Sequence, residues 1–357
     1  MQKGNGIMKK FLSFVCFLSL SAALLAGCTF VSRDPSGSQE PSGSEGTSVS
    51  QSVQMEAAEV NVMALKGPTS MGMAQLMTEN DTRTEKNSRY HFTITSMTDE
   101  VSAALAQGTT DIAAIPANLA SILYHNTNGG VQVLAINTLG VLYITESGDT
   151  VHSVDDLRGK TIYASGKGNT PEYALNYVLS QNGIDPVRDV IIEWKSEPAE
   201  CLAALTAQEN AIAMLPQPFV TTAQSKSNRI RVALDLTKEW NKLQADSVAP
   251  SALVTGVVVA RTAFIKEHPE AISDFLDGCQ ASVEYVNSNM DEAAVMMDSY
   301  GIVASEVAQK AIPSCNIVFI EGSEMKEKLS GYLSVLFEQN AKSVGGALPD
   351  DDFYYNR

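Results

Sequence analysis

Two groups of small polar residues, set about 100 positions apart, hold the binding chemistry of this chain. The first is Gly67, Pro68, Thr69 and Ser70, joined by Ser96, Thr98, Pro116 and Asn118; the second is Ser165, Gly168, Asn169 and Thr170, joined by Ser196, Glu197 and Gln217. Glycine lets backbone approach a ligand closely, and hydroxyls and amides donate and accept hydrogen bonds without charge. Trp194, Tyr163 and Phe219 offer flat faces on which a ring can stack, and each equally suits a packed core. Any one of the Ser and Thr residues also suits a helix N-cap, worth about 1 kcal/mol. Met71, Met73 and Met77 read as core filling. Groups for bond-breaking are missing. The run from Gly166 to Thr170 lacks the full phosphate-loop spacing, no serine sits in a G-x-S-x-G turn, and the four histidines have no evident nucleophile partner. No CxxC or His/Cys cluster points to a metal, so no metal site, no cofactor and no catalytic residue is expected.

These residues need elements to bring them together. From residue 60 strand-like runs (60–65, 90–95, 112–115, 131–137) alternate with helical ones (70–78, 99–107, 117–124). The series recurs with strands at 161–164, 190–194, 211–215 and 230–235 and helices at 170–182 and 199–207. At an offset of 100 the register holds without a gap: Glu100, Leu105, Ile112, Ala113 and Pro116 meet Glu200, Leu205, Ile212, Ala213 and Pro216. Strands separated by helices imply right-handed crossovers and a parallel sheet. The expected fold is therefore α/β with two lobes, each a mostly parallel sheet flanked by helices. A short helix at 238–243, a strongly apolar strand at 253–260 and helices at 270–286, 291–300 and 323–339 complete the chain. The late strand suggests that the chain crosses twice between lobes, giving lobe 1 as 60–139 plus 255–357 and lobe 2 as 140–254. Thr138, Gly140, Thr255 and Gly256 are the expected hinge. In open α/β sheets ligands lie beyond the carboxyl ends of the strands, where helix N-termini point N–H groups outward. That rule selects Gly67, Thr69, Ser70, Pro116, Asn118, Ser165, Gly168, Asn169, Thr170, Trp194 and Gln217 as ligand contacts. Facing helix starts of this kind can hold a small anion without any arginine.

The N-terminus is an address. Met8, Lys9 and Lys10 precede an apolar, uncharged run at 11–25, shorter than the roughly 20 residues of a membrane span and of signal-peptide length. Leu25, Ala26, Gly27 and Cys28 follow, and small residues directly before a cysteine resemble the bacterial lipobox. Residues 1–27 are the expected signal peptide and Cys28 the lipidated N-terminus, with Met1 and Met8 both open as the initiator; an ordinary secretory signal is the plainer alternative. Residues 28–59, rich in Ser, Gly, Pro and Gln, bury too little to order and read as a tether. Removing Lys3, Lys9 and Lys10 takes the net charge from −16 to −19, which argues against nucleic acid or anionic lipid as partner. Cys201, Cys279 and Cys315, an odd and widely spaced set, read as buried apolar residues.

The lipobox, the tether, "LKGPTSMGMAQLM", "DIAAIPANLAS", "SVDDLRGKTIYASGKGNTPEY", "AIAMLPQPFV" and "FIKEHPEAISDFL" resemble solute-binding lipoproteins of ABC importers. Within them the resemblance is to the branch for taurine, alkanesulfonates, nitrate and thiamine-precursor pyrimidines, and it covers roughly 60–340. It implies a periplasmic-binding-protein type II clamp that closes on a small organic anion or heterocycle. The clamp would deliver its solute to permease subunits with a cytoplasmic ATPase, on the extracytoplasmic face of the membrane. It also implies solute contacts at 69–70, 116–118 and 165–170. Pyrimidine-synthesising relatives carry a cysteine-rich iron motif that this sequence lacks, and menaquinone-pathway enzymes share the fold. A clamp-fold enzyme or a sensory receptor stands as the alternative to import.

Overall fold

The computed structural model describes residues 58–82, 88–245, 247 and 251–357. The signal peptide, Cys28 and nearly all of the tether lie outside the described residues. The chain begins with β1 (Ala58–Leu65), α1 (Pro68–Met71), α2 (Ala74–Thr82), β2 (Ser88–Thr95), α3 (Thr98–Gln107), β3 (Ile112–Pro116), α4 (Ala117–Asn126) and β4 (Val131–Leu139). Past Gly140 come β5 (Leu142–Ser147), β6 (Thr161–Ser165), α5 (Thr170–Gln181), β7 (Ile191–Lys195), α6 (Pro198–Ala207), β8 (Ile212–Pro216), α7 (Phe219–Lys226), β9 (Ile230–Asp235) and α8 (Leu236–Gln244). The chain returns through β10 (Val254–Arg261), α9 (Thr262–Glu267), α10 (Pro269–Ser288), α11 (Met290–Ser299), α12 (Ser305–Ala311), β11 (Ile317–Ile320) and α13 (Gly322–Gln339).

The strands form two sheets, in the orders β11-β4-β10-β3-β1-β2 and β7-β6-β8-β5-β9. The repeat is literal at the level of register. Val62 pairs with Phe92 and Ile112 in the first sheet, and Ile162 pairs with Ile192 and Ile212 in the second. Each sheet is mixed, where a mostly parallel one was expected: β2-β1-β3 and β7-β6-β8 run parallel, while β10 and β5 run against both of their neighbours. The reason is topological. In each lobe the chain arriving from the other side inserts one strand beside β3 or β8, and that strand enters from the opposite end. β5 was not legible in sequence, because Leu142–Ser147 begins two residues after Gly140 and ends in a polar Thr-Glu-Ser.

The buried strand positions explain the choice of residues. Ile112, Ala113, Ala114 and Ile115 are all fully covered, as a central strand with helices on both faces requires. A single helix over 70–78 was expected, but the structure breaks it at Gly72 and Met73. The Ser282 hydroxyl of α10 donates to the Gly72 carbonyl (2.7 Å) and accepts from the Leu76 amide (3.1 Å), so a foreign side chain replaces one rung of the helical ladder. A Cβ at Gly72 would stand 2.9 Å from Ile317, which fixes glycine there.

Candidate functional site

The carboxyl ends of β1, β3, β6 and β8 carry the loops singled out from the sequence. In lobe 1 the Gly67 backbone is extended with φ 121°, a conformation glycine supports, and its carbonyl accepts from the Ser70 and Met71 amides and the Ser70 hydroxyl. Ser70 is thereby buried and turned onto its own helix start. Thr69 donates its hydroxyl to the Leu65 carbonyl (2.7 Å), and its own carbonyl accepts from Asn137 Nδ2 (2.9 Å). Pro116 ends β3 opposite Gly256. Gly256 lies inside β10, tight against this floor: a Cβ there would meet Thr69 Cγ2 at 2.6 Å and Asn137 Oδ1 at 2.8 Å.

Asn118 joins the two groups of residues. It is fully buried on α4, and its Oδ1 accepts from both the Thr170 amide and the Thr170 hydroxyl, each at 3.2 Å. Its Nδ2 donates to the Ser343 carbonyl at 3.2 Å and approaches the Gly168 carbonyl at 3.5 Å. A carboxamide of lobe 1 thus caps the start of α5 in lobe 2. The remaining amides of that helix start are also engaged. Gly168 donates to the Glu172 carboxylate (2.6 Å), Asn169 to the Gly166 carbonyl (3.1 Å), and Pro171 has no N–H to offer. Free N–H groups were expected here. The structure gives them neutral or acidic protein partners instead, because the loop turns tightly enough through Gly166 and Gly168, both at positive φ, to bring Glu172 and Asn118 onto it.

The polar side chains buried at this end are uncharged: Ser70, Asn118, Asn137, Thr138, Ser165, Thr170 and Gln217. Among the described residues two carboxylates are buried, both at the far ends of the sheets. Asp111 precedes β3 and pairs with Arg261 at 2.6 Å; Glu146 lies near the end of the antiparallel β5 and pairs with Arg231 at 2.8 Å. Burial works against the charge on Glu146. The Thr150 hydroxyl and amide, the Val151 amide and Arg231 outweigh burial and hold its carboxyl below the ordinary range. Burial pushes the Tyr143 phenol up to about 12, and its hydroxyl donates across to the Ser314 carbonyl at 3.0 Å. Among the described residues no group of His, Cys, Asp or Glu is placed to hold a metal ion.

The other selected residues fall in different places. Gln217 is buried with its Oε1 on the Thr221 amide and hydroxyl, capping α7 inside lobe 2. Ser165 is buried at the end of β6, over the Cys201 thiol. Trp194 is half-buried and packs with Ile192 against the main core. Tyr163 lies under the Lys195 ammonium, 5.1 Å from its ring centre. Thr138 and Gly256 are cross-strand neighbours, the Thr255 hydroxyl donates to the Leu139 carbonyl, and the Gly140 carbonyl accepts from Asn316. Asn137, Asn316 and Tyr332 belong to this neighbourhood and were not selected. Asn137 reads as the tail of an apolar strand, and Tyr332 sits on the apolar face of a C-terminal helix. A polar residue at a strand's carboxyl end was the one available signal, and it held only for Asn137.

A family model described as NMT1/THI5 like matches residues 93–293, more than half of the chain. The chain belongs to the NMT1/THI5-like family. No curated protein matches its sequence. Solved structures share the family member's fold across most of its length. An ABC transporter from Parabacteroides distasonis is 22% identical with a TM-score of 0.70, covering 84% of this chain and 99% of its own. The periplasmic aliphatic sulphonate binding protein SsuA of Escherichia coli is 13% identical with a TM-score of 0.64, covering 84% and 96%. The ligand binding component of an ABC-type import system from Staphylococcus aureus, with zinc bound, is also 13% identical, at 0.63, covering 84% and 96%. These likenesses carry the NMT1/THI5-like chain's two-lobed periplasmic-binding-protein architecture.

Proposed function

We propose that this NMT1/THI5-like chain is the solute-binding component of an ABC importer. Held by lipid on Cys28 at the extracytoplasmic face of the membrane, it takes a small solute between its lobes and passes it to permease subunits driven by a cytoplasmic ATPase. Lobe 1 (60–139 plus 255–357) and lobe 2 (140–254) turn about Thr138, Gly140, Thr255 and Gly256. Gly67, Thr69, Ser70, Pro116, Asn118, Ser165, Gly168, Asn169 and Thr170 form the solute-facing surfaces, with Trp194 and Gln217 behind them. The family and the structural neighbours support the class, SsuA being described as a sulphonate binder and the staphylococcal protein as a ligand-binding component.

The Asn118 bridge carries the reading and favours one kind of solute. Its amide presents an acceptor to the Thr170 N–H and hydroxyl and, beside it, a donor to the Gly168 carbonyl. A flat neutral solute whose edge sets a ring nitrogen next to an amino group reproduces that pattern atom for atom. A sulfonate or nitrate brings acceptors only and would face the Gly168 carbonyl and the Glu172 carboxylate on the same loop. The heterocycle class is therefore favoured over the anions. A thermal-shift and calorimetric panel of 4-aminopyrimidine, taurine, ethanesulfonate and nitrate tests this. A ligand at 100 times its Kd adds about 2.7 kcal/mol to stability. The combined Thr170→Ala and Ser70→Ala variant is expected to bind more than tenfold more weakly while its ligand-free melt stays cooperative. Equal affinity in that variant would count against the cleft.

A further inference from the structure

Tyr332 lies on α13, in a part of the chain that contributes nothing to the loops discussed so far. Its side chain is fully buried. Its ring packs 5.6 Å from Trp240, which in turn lies 4.4 Å from Tyr177, so three helices meet in one aromatic cluster. The two outer members differ in one respect. Tyr177 accepts a hydrogen bond from Gln244 (2.5 Å), whereas the Tyr332 hydroxyl has no partner of hydrogen-bond geometry among the described residues. The polar side chain it faces is Thr170, whose own hydroxyl proton is given to Asn118.

Buried phenol hydroxyls nearly always find a partner, and leaving one unmet costs about 1–3 kcal/mol. Phenylalanine would fill the same space in the cluster without that cost, so packing does not account for the hydroxyl. Its position does. Thr170 begins α5, a helix of 12 residues at the carboxyl end of β6, where the topology places a ligand. A solute that takes the place of the Asn118 amide there comes to rest beside Tyr332.

We propose that Tyr332 is a specificity-determining residue whose hydroxyl donates a hydrogen bond to an acceptor atom of the solute bound at the start of α5. Burial raises its pKa, so the group stays a neutral donor at physiological pH. It therefore selects a ring nitrogen or carbonyl oxygen and gives no help to a cation. This inference rests on the solute-binding reading above.

The test compares wild type, Tyr332→Phe and Tyr177→Phe as purified full-length protein. Ligand-free melting and calorimetric affinity are measured for 4-aminopyrimidine, taurine, ethanesulfonate and nitrate. Tyr332→Phe is expected to melt at the wild-type temperature or higher and to bind the best probe at least tenfold more weakly. Tyr177→Phe, which breaks a bond internal to the protein, is expected to lose thermal stability and keep its affinity. A ligand-free melting temperature lowered in Tyr332→Phe would reveal a protein partner for the hydroxyl and overturn the proposal, as would unchanged affinity. A wild type that responds to none of the four probes would instead refute the solute-binding reading, and the role of Tyr332 with it.

Discussion

Replacing Asn118 with alanine is the sharpest perturbation this architecture offers. The change removes three hydrogen bonds of 3.2 Å, two to Thr170 and one to the Ser343 carbonyl, and a fourth, marginal contact of 3.5 Å to the Gly168 carbonyl. At about 1 kcal/mol net for each well-formed bond, and little for the last, the loss is about 3 kcal/mol. The share falling on the Thr170 amide matches the roughly 1 kcal/mol lost when any helix loses its N-cap. Because the bonds tie α4 of lobe 1 to α5 of lobe 2, opening of the clamp is the first consequence. Only the two Thr170 bonds cross between the lobes, and their loss of about 2 kcal/mol shifts the closed-to-open ratio by about 30-fold. Small-angle scattering of the ligand-free protein should therefore show a larger radius of gyration in the variant. Calorimetry should show a melting temperature lower by several degrees, at about 2–4 °C per kcal/mol for domains of this size. Asn118→Asp separates the two halves of the amide: it keeps the acceptor for α5 but sets a carboxylate against the Ser343 carbonyl. An alanine variant with unchanged scattering and a melt within about 1 °C of wild type would refute the bridge as an energetic tie.

Further outcomes are expected elsewhere in the molecule. Glu146 has its pKa lowered from 4.5 on folding, so its contribution is complete above that value and disappears as pH falls through the lower folded one. Glu146→Gln should flatten the acid limb of a stability-against-pH curve and, with Arg231 only partly buried, cost about 2–4 kcal/mol at neutral pH in urea denaturation. Gly256→Ala drives a methyl into Thr69 and Asn137 and should cost about 1–3 kcal/mol by the same measurement. Trp240→Ala empties the centre of the aromatic cluster and frees the Ser251 carbonyl and hydroxyl, for a loss of about 3–5 kcal/mol. Cys28→Ser should move the protein from the membrane fraction to the soluble one after fractionation of cells.

Much of this fold is readable from local pattern. The strand and helix alternation arises from short-range periodicity, and the match of Ile112 and Ala113 with Ile212 and Ala213 at an offset of 100 reappears in the sheet registers. What escaped depends on contacts between distant residues. The break between α1 and α2 is made by Ser282, more than 200 residues away. The direction of β5 and β10 follows from the crossings, not from their composition. In the site, Asn118 and Thr170 are each recognisable as candidates at a strand's end. Their mutual hydrogen bonds are not, since nothing in either segment states which lobe face meets which. Tyr332 has the spacing of a core residue, and only its lack of a partner sets it apart.

The insertion of β10 between β3 and β4 also dictates an order of assembly. Without Val254–Arg261 the first sheet falls into two pieces, β2-β1-β3 and β11-β4, whereas every strand of the second sheet lies within one uninterrupted stretch. As the chain is made from its N-terminus, the second sheet can therefore form while the first still waits, open at its centre, for a segment more than 100 residues downstream of its partner β4. Pairings of such long sequence separation form slowly. Folding thus passes through a stage with one finished sheet and another still split at its centre, its β3 edge exposed to chaperones and proteases.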